Sequence, residues 1–156
     1  MSDLGDLIRA VDRDEWTLAE GTIEGRPSML RFRPRLSTVL GHPLLPRRLV
    51  VLWDYGDDGD SGMPDAETAE DLDLFESALN EALDPDRAAV LAFVFTHIGV
   101  REWHYYVADI ELVSERINDA LSEQPDLPIE LSAYDDPDWS ELATVLTSVR
   151  DYGGSN

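Results

Sequence analysis

The chain contains no cysteine, no lysine and no apolar run of membrane-spanning length. Without cysteine there are no disulfides, thiolate nucleophiles, cysteine-containing zinc sites or iron–sulfur clusters, and the composition suits a reducing compartment. A membrane helix needs about 20 apolar residues, and no segment approaches that. The first fourteen residues carry early acids and no apolar stretch, so they do not read as a secretory signal. A cytoplasmic protein with no membrane contact is the expectation.

All twelve basic residues are arginine, set against 33 acids, for a formal charge of −21 over 156 residues. Such a field keeps a protein soluble and repels nucleic acid and anionic membranes, which argues against general nucleic-acid binding. The acidity has two readings: adaptation to a salty cytoplasm or to solubility at high concentration, or a functional role. With 43% hydrophobic residues, the chain can bury a sizeable core as one domain. The expected layout is an N-terminal helical extension over 1–14, a single α+β domain over 15–150 and a flexible tail over 151–156.

Leu4, Leu7, Ile8 and Val11 have the spacing of a short amphipathic helix. Two extended runs, Trp16 to Ile23 and Ser28 to Arg33, flank Glu24-Gly25, where glycine permits a tight hairpin. Leu49 to Trp53 is a continuous apolar run of the kind found in a central strand. A helix capped by Asp65 carries Ala69, Leu72, Phe75, Leu79 and Ala82 on one face. Ala88 to Thr96 and Arg101 to Val107 read as a second hairpin around Gly99. Asp109 caps a helix with Ile110, Val113, Ile117 and Leu121 in register, Pro128 to Ala133 reads as the last strand, and Asp136-Pro137 opens a short helix bearing Trp139, Leu142 and Leu146. Setting aside the N-terminal additions and the last helix, the order is βαββαβ, that of a ferredoxin-like split β-α-β sandwich. Its helix-free face must be covered by the N-terminal hairpin, by the last helix or by a second copy of the chain in a homodimer.

Charge is segregated along the chain. Thirteen acids and no base lie between Arg48 and Arg87, whereas six arginines and no acid lie between Glu24 and Asp54. Arg31, Arg33 and Arg35 alternate with apolar residues, which in a strand places three guanidinium groups on one face. They either pair internally or dock a phosphate or carboxylate, for which the planar guanidinium is suited. The loop from Asp54 to Asp60 offers four aspartates among glycines, but its spacing departs from the EF-hand pattern, and a solvated acidic loop is the simpler reading. No metal and no cofactor are expected. An even-numbered turn in the second hairpin would place His97, Glu102, His104 and Tyr106 on one face, an acid–base cluster or a set of ordinary sheet histidines. No nucleophile elbow, phosphate-binding loop, His-Glu-x-x-His motif or dinucleotide fingerprint occurs.

Several landmarks in order carry a resemblance: Trp16, Trp53-x-Tyr55 followed by Gly62-x-Pro64, Thr96-x-x-Gly99-x-Arg101-x-Trp103-x-Tyr105-Tyr106, and Asp136-Pro137-x-Trp139. Together they resemble the bacterial domain-of-unknown-function family six-nine-five, from about Glu15 to Leu146. That family is also found joined to a domain like the regulator of ribonuclease activity B, an acidic protein that inhibits an RNA-degrading enzyme. The resemblance implies a regulatory, protein-binding role and carries no catalytic residues. Arg31, Arg33, Arg101, Trp103, His104 and Tyr105 are the candidate binding residues. Trp103 and Tyr105 share a face, which makes them either core or an exposed docking surface, while Trp53 and Trp139 are expected in the core and Arg101 at the hairpin turn.

Overall fold

The computed structural model describes residues 15–56, 61–83, 89–122 and 128–153. The helix expected over Leu4 to Val11 lies outside them, as do Asp57, Asp58 and Asp60 of the acidic loop.

Local chemistry sets the two hairpins. Glu24 and Gly25 sit at φ 53° and 77°, which matches the right-handed twist of the strands they join, β1 (Thr17–Ile23) and β2 (Arg26–Phe32). Ile98 and Gly99, at φ 35° and 82°, do the same for β4 (Ala89–His97) and β5 (Val100–Val107). Ile98 is β-branched and strained there, and the turn is held by neighbouring backbone: Gly99 N donates to Gly62 O, and Tyr55 N to Gly99 O. Pro34 ends β2 and opens a 3-10 helix, Pro34–Val39. Arg35 therefore leaves the face shared by Arg31 and Arg33, and its Nε reaches Glu15 instead. This corrects the expectation of three aligned guanidinium groups.

The remaining elements are β3 (Arg47–Asp54), α1 (Ala66–Leu83), α2 (Ile110–Ala120), β6 (Ile129–Asp135) and α3 (Ser140–Gly153). Asp65 accepts from Thr68 N at the start of α1, and Asp109 accepts from Glu111 N and Leu112 N at the start of α2, as their cap-like positions predict. The six strands form one antiparallel open sheet in the order β1-β2-β4-β5-β3-β6.

Two apolar layers cover the sheet. On one face Leu72, Phe75, Leu79 and Leu83 of α1, with Val113 and Ile117 of α2, pack on Leu49, Val51, Leu91, Val94, Trp103 and Tyr105. On the other, Leu36 of the 3-10 helix, Leu45, and Trp139 and Leu142 at the start of α3 pack on Phe32, Val90, Phe93 and Tyr106. The last helix thus covers much of the second face, while the N-terminal hairpin widens the sheet beside β4. A bulge between Leu91 and Phe93 shifts the register of β4, whose residues are buried on both faces. Among the described residues, no helix is long and apolar enough to cross a membrane.

Candidate functional site

Five of the six candidate residues lie on the face of the sheet that α1 and α2 cover. Trp103 and Tyr105 are fully buried there, under α1 and α2, so of their two readings the core holds and the exposed docking surface does not: the helices dock on that face first. Trp103 stacks at a tilt against Phe75 and donates from Nε1 to Glu76 Oε1 at 2.9 Å. Tyr105 donates to Asn80 Oδ1 at 2.9 Å, and burial pushes its hydroxyl pKa well up.

Beyond the edge of α1, toward β1 and β2, the same face opens into a groove of about 390 Å³ lined by Met29, Arg31, Asp73, Glu76, Thr96 and Arg101, among others. Glu76 accepts from Arg31 as well as from Trp103. Arg31 and Arg33 both lie against the Trp16 ring, each 4.6 Å from its centroid. Arg101 donates from Nε to Thr96 Oγ1 at 2.8 Å, so it does brace the second hairpin near its turn. Its carboxylate neighbour, Asp73, stands off at 3.6 Å and is largely exposed. Burial lowers the Arg101 pKa, Asp73 opposes that, and the charge of Arg31 adds to the lowering.

His104 lies on the opposite face, where the two-residue turn aligns it with His97, Glu102 and Tyr106. Glu102 bridges the histidines, with Oε2 3.0 Å from His97 Nε2 and Oε1 3.0 Å from His104 Nε2. His104 Nδ1 faces Arg48, 3.0 Å away. A guanidinium only donates, so Nδ1 accepts and the ring proton sits on Nε2, donated to Glu102. Arg48 continues to Asp136 Oδ2 at 3.3 Å, and Asp136 accepts from the Tyr106 hydroxyl at 2.8 Å. The chain of groups thus runs from β4 across β5 and β3 to the cap of α3. The imidazoles stack on phenylalanine rings, His104 on Phe93 and His97 on Phe95.

Burial holds the His104 pKa below its ordinary value, against the opposing pull of Glu102. Burial would raise the Glu102 pKa, but hydrogen bonds from His104 and His97 outweigh it and keep the carboxyl low. The same competition, won by the bonds from Tyr106 and from the amides of Ser140 and Glu141, lowers Asp136. In the fold His104 takes up a proton only at a lower pH than in the unfolded chain, where it does so as the pH falls through about 6.5. Its contribution to stability is therefore intact above that value and is lost below it. Between pH 7.5 and 5.5 the melting temperature of the native protein should fall further than that of His104→Gln, since the comparison cancels the background charge effect. Parallel slopes would mean that His104 titrates alike in both states.

Arg48, Asp73, Glu76 and Asp136 complete these clusters, and sequence spacing alone did not single out any of them as a site residue. Each meets its partners across strands or layers, although the Asp136-Pro137-x-Trp139 pattern did mark the cap. Of the acidic loop, Asp54 is described, and its Oδ1 accepts from Gly56 N. Among the described residues, no group of three His, Asp or Glu side chains is arranged to hold a metal ion. No curated protein matches the chain. The model of a family of unknown function (DUF695) matches residues 14–146, most of the chain and both clusters, and the protein belongs to that family.

Proposed function

We propose that this domain is a non-catalytic regulatory module of a cytoplasmic protein, and that it docks a basic protein partner on the outer face of α1 and α2. The observation that carries the reading is Leu74, 65% exposed in the middle of α1. Glu67, Glu70, Asp71 and Glu81 lie three, four or seven residues from it, hence on the same helical face. Beside it, a groove of about 290 Å³ between the two helices is lined by Trp53, Leu74, Phe75, Ala78, Ala120 and Leu121, with the carboxylate of Asp71 among them. An apolar slot rimmed by carboxylates suits a segment with one apolar anchor between arginines or lysines.

The domain immobilised on beads should retain a specific protein from native extract at low salt and release it at high salt. Leu74→Glu should abolish that capture, while Leu18→Glu, at another exposed leucine on β1, should preserve it. If Leu74→Glu retains the same proteins, the capture is bulk charge attraction and the docking face is wrong.

The order βαββαβ and the neighbouring strands β4-β5-β3-β6 support a ferredoxin-like core for this module. A hydrolytic or small-ligand enzyme using His97, Glu102 and His104 is the second reading, favoured by one carboxylate serving two imidazoles. It ranks lower because Glu102 and His104 are both engaged within the relay that ends at the α3 cap.

A further inference from the structure

The groove on the other side of α1 has an arrangement of charge that the docking face does not use. Its floor, on β2 and β5, presents Arg31 and Arg101, and its α1 wall presents Asp73 and Glu76. Arg31 is committed to Glu76, which Trp103 also holds in place. The second pair is loose. At 3.6 Å, Asp73 is too far from Arg101 for a hydrogen bond, and its side chain is 76% exposed. Arg101, only 14% exposed, is fixed through Nε on Thr96. Val94, Met29 and Leu18 supply apolar surface beside these groups.

We propose that this groove binds a free α-amino acid with a branched aliphatic side chain. The ligand carboxylate takes the fork of Arg101, its ammonium takes Asp73, and its side chain lies along Val94, Met29 and Leu18. Insertion of the zwitterion replaces one stretched ion pair by two close ones, so no charge is left uncompensated. Net charge argues in the same direction. A field of −21 opposes the approach of a simple anion, and the two arginines on the floor oppose a simple cation, whereas a zwitterion of zero net charge meets neither barrier. The groove volume of about 390 Å³ lies in the usual range for small-ligand sites.

The test is calorimetric titration of the whole protein with L-leucine, with 4-methylpentanoate, which lacks the ammonium, and with isoamylamine, which lacks the carboxylate. Leucine should bind about tenfold or more tightly than either analogue. Asp73→Asn, at an exposed position that the fold does not need, should weaken leucine about tenfold and leave 4-methylpentanoate unchanged or improved. Arg101→Met should abolish leucine binding, with circular dichroism confirming that the variant is folded. Absence of leucine binding to the native protein overturns the proposal. So does equal affinity for 4-methylpentanoate, which would make the groove a plain anion site, or an Asp73→Asn variant that binds leucine normally. None of these outcomes depends on Leu74, so this proposal and the docking face stand or fall separately.

Discussion

Asp136→Ala is expected to cost about 3–5 kcal/mol of stability, because it strips one carboxylate from four partners at once. Its Oδ1 accepts from Ser140 N at 2.7 Å, and its Oδ2 serves the Tyr106 hydroxyl, Glu141 N and the Arg48 guanidinium. Water cannot readily replace it, since the side chains of Arg48 and Asp136 are only 13% and 8% exposed. The alanine variant would leave a buried positive charge without its counter-ion and the first turn of α3 without its cap. In urea the midpoint should drop by about 2 M, taking a typical slope for a domain of this size. Asp136→Asn keeps the geometry and loses the charge, and should fall between the native protein and the alanine variant. A midpoint within about 0.3 M of native for Asp136→Ala would mean that solvent already reaches Arg48.

Trp103→Ala should cost a similar amount, about 3–5 kcal/mol, through the cavity it opens between α1 and the centre of the sheet. Trp103 is completely buried, packs on Phe75 and lies between Val51 and Val94 in the strand ladders. Glu76 would lose its indole donor as well, and with it part of what orients Arg31. The same change on an exposed docking surface would cost about 0.5 kcal/mol or less, so urea unfolding followed by circular dichroism separates the two cases.

Those two residues show where the sequence was legible and where it was not. Asp136-Pro137-x-Trp139 announced a nearby helix but not its first turn: α3 begins only at Ser140 and runs 14 residues, Asp136 caps it from across a turn through Ser140 N and Glu141 N, and Trp139, at φ 55° and outside the helix, stacks on Tyr106 and donates from Nε1 to Leu45 O. The hairpins, the helices and their apolar stripes were readable because they depend on neighbours within a few residues. The alignment of His97, Glu102 and His104 followed from the length of one turn. What could not be read depends on distant pairing. Arg48 meets His104 and Asp136 only because β3 lies between β5 and β6. The bulge at Leu91 and Phe93 left no trace because a strand buried on both sides has no alternation to interrupt. The Trp103–Tyr105 face looked available because alternation assigns residues to a face without saying which layer covers it. Arg35 was aligned with Arg31 and Arg33 by alternation, although Pro34 was present as a signal that the strand ends.

The position of β3 also bears on how the chain is made. Both of its partners, β5 and β6, come later in the sequence, so the apolar segment Leu49–Trp53 leaves the ribosome before either neighbour exists. Hairpins such as β1–β2 and β4–β5 close locally, whereas this strand must wait for long-range closure, during which an exposed apolar run invites association between nascent chains. The stretch that emerges directly after it carries thirteen acids and no base. Charge next to an obligatory hydrophobic strand acts as a gatekeeper against such association. The uneven distribution of acids along the chain thus places like charge directly beside an interior apolar strand at the stage when neither of its partners has been made.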